Sequence, residues 1–333
     1  MQTRLTKILG IEHPVMLAGM GGVSYATLVA AVSEAGGFGC LGASTMGPER
    51  MVTEMREVRA LTRQPFGVDL LTAFPDSLER QVGLLIEEGA SVFVAGLGVP
   101  SRAVALCHEA GVLVLNMCGK VDHAKRAVEA GCDLVVAQGT EAGGHTGLIA
   151  TMPLVPQIVD AVGCSVPVVA AGGIFDGRGL AAALSLGADG VWVGTRFIAT
   201  PEARSVSGYK EALLAGKEDS TVVTRAYSGK PMRVMANSYT RYFESHPGEL
   251  ETFPDQLARS MADGAFHLGA GHDEVGVDVE RECYPAGQGA GAIRELVGAG
   301  DLVRQFVDEA ERALIRSVTL LRGEAGPEER DSA

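Results

Sequence analysis

The chain lacks the marks of several large functional classes. Its 333 residues hold 28 Lys and Arg against 41 Asp and Glu, a formal net charge of −13. There is thus no basic excess for binding nucleic acid or an anionic membrane surface. No run of about 18 apolar residues suggests a membrane span, and the N-terminus lacks the basic-then-apolar layout of a signal peptide. Six cysteines (40, 107, 118, 132, 164 and 283) show neither CxxC nor metal-ligand spacing. Several lie inside apolar segments, where a thiol acts as a small hydrophobe. They read as reduced thiols, so the expectation is a cytoplasmic, soluble protein without a metal. A P-loop lysine is missing, and Gly19-Met20-Gly21-Gly22 does not match the GxGxxG fingerprint of a dinucleotide fold.

What the chain does have is apolar mass and glycine. Apolar residues make up 47% and glycines number 44, without a collagen-like period. Apolar runs recur at Pro14–Ala18, Phe38–Leu41, Phe66–Leu70, Ser91–Ala95, Val112–Asn116, Asp133–Ala137, Pro167–Ala170 and Gly190–Val193. Between them Ala26–Glu34, Ser77–Glu88, Ala124–Glu129 and Gly179–Leu186 carry helical spacing. Gly36, Gly89, Gly111, Gly131 and Gly187 each follow a helical segment, where a left-handed cap favours glycine. Eight strands buried on both faces, each followed by a helix, predict an α/β fold closed as a TIM (β/α)8 barrel. A doubly wound open sheet uses the same local units and is the competitor.

After Thr195 the pattern changes. Glu202–Leu214 reads as a helix, and the mixed stretch to residue 285 reads as an insertion or lid across the strand C-termini. Residues 289–322 return to helical spacing. The expected division is a barrel of 1–200 and 286–322, a lid-like insertion of 201–285 after strand eight, and a disordered tail of 323–333.

Four glycine-bearing loops follow predicted strands: residues 18–22, the Gln138–Gly147 loop, Ala171-Gly172-Gly173 and Gly194-Thr195. In a parallel barrel they converge on the C-terminal face, where active sites of this fold sit. The last two follow strands seven and eight, the usual place for a phosphate held by backbone N–H groups. Gly177 and Gly179, flanking Arg178, fit a crowded phosphate pocket. Within Gln138–Gly147, His145 is the one group that titrates near neutral pH; a tight turn with a surface histidine is the plainer reading of that segment alone.

Together Val15–Ser24, Pro65–Leu71, Gln138–Gly147, Pro167–Gly179 and Gly190–Phe197, with a return at Tyr284–Ile293, resemble the nitronate monooxygenase (2-nitropropane dioxygenase) family. The flavin-dependent enoyl-acyl-carrier-protein reductases are its relatives. The resemblance implies FMN held at the strand C-termini by Ala18, Gly19, Met20, Gln138, Gly143 and Gly144. Ala171, Gly172, Gly173, Gly194 and Thr195 would hold the phosphate. Asp69 departs from the pattern, since an asparagine is usual there. An ionised carboxylate only accepts hydrogen bonds, so its contact to the flavin is in question. The resemblance also implies that His145 acts as base or anion-holding group while alkyl nitronates or nitroalkanes are oxidised with O2 to a carbonyl compound and nitrite. Alternatives are NAD(P)H-dependent reduction of an enoyl thioester, an NADH:quinone reductase, and a non-catalytic FMN-binding protein. Gln138 in place of glutamate, and no tryptophan after Gly19-Met20, favour the monooxygenase over the enoyl reductase. The implied partners are a small-molecule substrate and O2, with a homodimer left open.

Other candidates have plainer readings. Lys120 reads as a solvated helix-start lysine more readily than a charge near the flavin. His267, His272, Asp273 and Glu274 lack ligand spacing on a helix, and His246 reads as a turn residue. Tyr227, Arg233, Asn237 and Tyr242 divide between substrate contact and packing. Cys40 and Cys118, near strand ends, read as buried structural thiols.

Overall fold

Strands with no face to offer water must bury both, and here eight of them do so by closing into a ring. The computed structural model describes residues 1–72, 75–96, 98–267 and 276–322. Its barrel strands are β1 (Val15–Leu17), β2 (Gly39–Gly42), β3 (Phe66–Leu71), β4 (Val92–Gly96), β5 (Leu113–Cys118) and β6 (Leu134–Gln138). After β7 (Gly144–His145), which lies outside the ring, come β8 (Val168–Ala171) and β9 (Gly190–Val193). All eight are parallel, in the order β1-β9-β8-β6-β5-β4-β3-β2. Met16 bridges Phe38 in parallel, with the Leu17 N–H donating to Phe38 O at 2.8 Å and the Phe38 N–H donating to Val15 O at 2.9 Å. β2 therefore returns to β1, which makes the architecture a TIM barrel and removes the open sheet.

The period-two alternation of strand side chains sorts each strand into two cores. Met16, Phe38, Cys40, Val94, Leu115, Val136, Val169 and Trp192 fill the inside of the barrel. Leu17, Val68, Leu70, Ala95, Val114, Val135, Val168 and Val191 face the surrounding helices. The barrel floor is plugged by α1 (Arg4–Leu9), whose Leu5 and Leu9 join the inner core. The Arg4 guanidinium holds Asp189 through Nε at 3.0 Å and Nη2 at 2.7 Å, pinning that plug to the foot of β9.

Each barrel strand but the last is followed by its helix, with a 3-10 turn before α3 and β7 before α7: α2 (Ala26–Glu34), α3 (Pro48–Leu61), α4 (Pro75–Glu87), α5 (Ser101–Glu109), α6 (Val121–Glu129), α7 (Thr151–Val162) and α8 (Gly177–Ser185). The cap glycines 36, 89, 111, 131 and 187 all have positive φ, from 73° to 95°, a region that costs a Cβ-bearing residue strain. After α9 (Thr195–Ile198) and the segment that follows it, the outer ring is completed by α13 (Ala299–Arg322), packed on α8 and α2.

Two predicted helices differ from those found. Glu202–Leu214 is helical only over α10 (Tyr209–Ala215). Gly208 has φ +78°, and a Cβ there would meet the Tyr284 hydroxyl at 2.6 Å, so the chain turns at that point. Residues 289–322 begin as a short 3-10 turn over Gln288–Ala292 and become α-helical at Ala299. A Cβ at Gly291 would collide with the backbone of Lys217 and Glu218, so this turn is shaped by its close approach to the chain after α10.

The segment after α9 also contains the hairpin β10 (Thr221–Thr224) and β11 (Met232–Met235), then α11 (Ser238–Ser245) and α12 (Asp255–Ala262). It has a small core of its own around Tyr227, Val234, Tyr239, Phe243 and Cys283. Its most consequential contact is antiparallel pairing of β11 with β7, Met232 opposite His145 and Arg233 opposite Gly144. The tail 323–333, and the candidates His272, Asp273 and Glu274, lie outside the described residues.

Candidate active site

The C-terminal ends of the barrel strands open into a cavity of about 460 Å³, within the range of roughly 300–1,000 Å³ usual for small-molecule and cofactor sites. Ala18, Gly19, Met20, Asp69, Gln138, Gly143, Gly144, His145, Ala171, Gly172, Gly173, Gly194 and Thr195 all line it. Segments far apart in sequence meet here because parallel strands deliver every C-terminal loop to one face.

Close backbone packing knits the rim together. Gly172 and Gly173 have φ +107° and +71°. A Cβ on Gly172 would meet Thr151 Oγ1 at 2.7 Å and Gly139 O at 3.0 Å, while one on Gly173 would meet Glu141 Oε2 at 2.5 Å. A Cβ on Gly143 would stand 2.8 Å from the backbone of Ala286 and Gly287. That returning chain is held by the Gly287 N–H donating to Thr195 Oγ1 at 2.9 Å and the Gln288 N–H to Glu141 O at 2.9 Å. By contrast, among the described residues nothing beyond its chain neighbours lies within 4 Å of where a Cβ on Gly144 would stand, so this part of the wall offers bare backbone to a ligand.

His145 does not sit in a free loop. Its backbone is fixed by the β7–β11 pairing and by the Gln138 side-chain amide, which donates to His145 O at 2.9 Å. Its Nε2 lies 2.9 Å from Ser228 Oγ. The Ser228 hydroxyl also takes the Lys230 N–H at 3.3 Å and lies 3.3 Å from Lys230 O. A hydroxyl has one proton to give and two lone pairs. Giving that proton to Lys230 O and accepting from Lys230 N–H and His145 Nε2–H satisfies every group. In that arrangement Nδ1 is unprotonated, and it has no protein partner among the described residues; with the hydroxyl turned to Nε2 instead, the ring proton lies on Nδ1. The ring is exposed to the cavity, but the recess around it disfavours charge. Burial first, and the Lys230 ammonium second, lower its pKa from the ordinary histidine value. The neutral form of the imidazole is therefore favoured.

Lys230 itself lines the cavity, with Nζ 4.0 Å from the centre of the Phe253 ring, a cation–π contact. Ser228, Phe253, Leu257 and Phe266 also line the cavity from the segment after α9, as do Tyr209 and Pro285.

Asp69 points inward from β3, between the positions of Gly19 and Gly96. Burial raises its pKa to about 7. The nearby Cys40 thiol is pushed well above its usual value by burial and by the Asp69 charge. Cys40 and Cys118 are both buried and do not line the cavity.

Several residues singled out in the sequence lie elsewhere. Arg178 is tied to Asp176 at the protein surface. A Cβ on Gly177 would collide with Phe306 and Ala310 of α13, so that glycine serves helix–helix approach rather than a phosphate pocket. Lys120 is exposed at the start of α6 and outside the cavity wall. Tyr227 is buried with its hydroxyl on Asn237 Oδ1 at 3.1 Å and Arg281 O at 2.9 Å. Arg233 donates to Thr140 O at 2.9 Å, and Tyr242 stacks on His246 at the surface. His267 pairs with the buried Glu282, Nδ1 to Oε2 at 2.6 Å, and no metal-binding cluster occurs among the described residues. Ser228 and Lys230 were not legible in the sequence. Their Tyr-Ser-Gly-Lys-Pro surroundings look like any turn, and only the pairing of β11 with β7 brings them to the histidine.

Among the described residues no helix is long and apolar enough to cross a membrane. The nitronate monooxygenase family model matches residues 2–309. A protein of Mycobacterium tuberculosis, (3aS,4S,5R,7aS)-5-hydroxy-7a-methyl-1-oxo-octahydro-1H-indene-4-carboxyl-CoA dehydrogenase, is 42% identical over 246 residues, 74% of this chain and 69% of the relative. FabK from Thermotoga maritima superposes with a TM-score of 0.86 at 36% identity, covering 97% of this chain and 99% of that one. Nitroalkane oxidase from Streptomyces ansochromogenes superposes with a TM-score of 0.79 at 31% identity, covering 94% and 99%.

Proposed function

The chain belongs to the nitronate monooxygenase family and is an oxidoreductase, and from that premise we propose that it oxidises alkyl nitronates, and nitroalkanes after removing a proton, with FMN and O2. The products are a carbonyl compound and nitrite. One observation carries the reading: a neutral, oriented imidazole stands beside a fixed ammonium in a cavity walled mostly by apolar side chains. A base needs a pKa matched to its task, and the anion it generates needs a positive partner.

Bound FMN supplies the redox chemistry, accepting electrons and passing them to O2. The backbone-rich wall of Ala18, Gly19, Met20, Gln138, Gly143 and Gly144 would hold its ring system. Ala171, Gly172, Gly173, Gly194 and Thr195 would hold its phosphate. His145 Nδ1 takes the α-proton of a nitroalkane, with Ser228 holding Nε2 so that the free lone pair faces the substrate. Lys230 offers its charge to the nitronate oxygens. Phe253, Leu257 and Phe266 exclude water, and the segment 201–285 thereby serves as the cover of the site.

A second reading is redox chemistry on an acyl thioester, favoured by the 42% identity to a protein named as a carboxyl-CoA dehydrogenase. The same base and cation suit an α-proton next to a thioester carbonyl. The test is anaerobic mixing of the FMN-loaded protein with an alkyl nitronate, a nitroalkane, a saturated acyl-CoA and NADPH in turn. Flavin bleaching by nitronate, and nitrite formation once oxygen is admitted, are expected. Bleaching by acyl-CoA or NADPH with none by nitronate overturns the proposal in favour of a dehydrogenase or a reductase.

A further inference from the structure

Asp69 is a carboxyl group placed where none of its neighbours can compensate it. Period-two alternation along β3 turns Val68 and Leu70 outward to the helices and Asp69 into the barrel. Opposite it in register stand Val94 of β4 and Gly42 of β2. A Cβ on Gly19 would meet Asp69 Oδ2 at 2.8 Å, and one on Gly96 would stand 3.8 Å from Oδ1. Gly19 thus makes room for the carboxyl group at the cavity wall, and the side towards Gly96 is uncrowded. Its titratable neighbour among the described residues is Cys40, an acid that offers no positive charge. Burial drives the upward shift of its pKa, with no hydrogen bond or cation among the described residues to oppose it.

A ligand that covers this carboxyl removes its remaining water and disfavours the ionised form further. FMN does so while bringing its own phosphate charge into a protein whose net charge is already negative. The oxidised isoalloxazine ring offers a single N–H donor and several acceptor atoms. A neutral acid can serve those acceptors, whereas a carboxylate cannot, and an apolar site is known to keep a carboxylic acid neutral for that use. We propose that Asp69 meets bound FMN as a neutral acid, donating its proton to an acceptor of the isoalloxazine ring, so that flavin binding takes up a proton from solution. This rests on the reading of the cavity as an FMN site.

Linkage gives the sign. Below the carboxyl's pKa in the free protein the proton is already present and binding takes up none. Above it, uptake approaches one proton per flavin, and affinity falls by up to about tenfold per pH unit. The test is calorimetric titration of flavin-stripped protein with FMN in two buffers of different ionisation enthalpy. It is run at about pH 8, where the FMN phosphate is already doubly ionised. Net proton uptake, at most one per flavin, is expected, with none for Asp69→Asn, whose amide N–H donates at any pH. An unprotonated complex (no uptake, or proton release) overturns the inference, as does uptake that persists in Asp69→Asn. If neither protein binds FMN, the cofactor reading itself fails.

Discussion

The hydrogen bond between His145 Nε2 and the Ser228 hydroxyl permits a sharp test of the proposed base. Replacing Ser228 by alanine removes the oxygen 2.9 Å from Nε2 and leaves the β7–β11 backbone pairing in place. The imidazole then loses the contact that fixes its ring plane and tautomer. A hydrogen bond of this kind is worth about 0.5–1.5 kcal/mol net, which corresponds to a loss of about 2- to 13-fold in rate. Removing the imidazole itself with His145→Ala forfeits general-base help of about 10²–10⁴-fold. Both losses are expected with a neutral nitroalkane, which must be deprotonated, and neither in full with a preformed nitronate, which need not be. The assay is oxygen consumption with each substrate form for the two single variants and the double variant. Because Ser228 acts through His145, the serine substitution should cost nothing further once the histidine is gone. An undiminished cost of Ser228→Ala in the His145→Ala background, or equal losses on nitroalkane and nitronate, would refute this assignment of roles.

Three further outcomes are expected. Lys230→Met removes the secondary cause of the lowered His145 pKa, so that pKa rises. Because the unprotonated ring is active, the acid limb of the nitroalkane pH–rate profile moves to higher pH, and KM for nitronate increases. An acid limb that stays in place places the ammonium outside the field of the ring. Gly143→Ala puts a methyl group 2.8 Å from backbone at residues 286 and 287, which cannot yield as a side chain can. FMN retention through gel filtration should drop sharply while the helical circular dichroism is kept. Leu5→Ala empties a fully buried position in the barrel floor and should cost about 2–5 kcal/mol in chemical denaturation, with FMN affinity unchanged.

The barrel was readable in the sequence because strands buried on both faces appear as uninterrupted apolar runs, and because the residues ending five helices had to be glycine. The cavity wall was readable for a related reason, since parallel topology sends every strand's following loop to one face. Side chains arriving from the segment after α9 were not readable. His145 and Ser228 are 83 residues apart, and their meeting depends on the register of Met232 against His145 rather than on any local spacing. Gly177 shows the opposite failure. It resembles a glycine that makes room for a ligand, yet the room it makes is for the backbone of α13. Sequence shows that a Cβ is excluded without showing what excludes it.

His145, the proposed base, is one residue of a three-stranded ladder, β10-β11-β7, two strands of which belong to the segment after α9. That segment therefore cannot be exchanged as a module without carrying Met232 and Arg233 in register. A graft that brings a new substrate pocket but slips the ladder by one residue would turn the imidazole to the opposite face of its strand. Amide exchange at Thr146, whose N–H donates to Pro231 O at 3.3 Å, thus reports the integrity of the pairing that positions His145, and gives an engineer a measurement to make before any turnover assay.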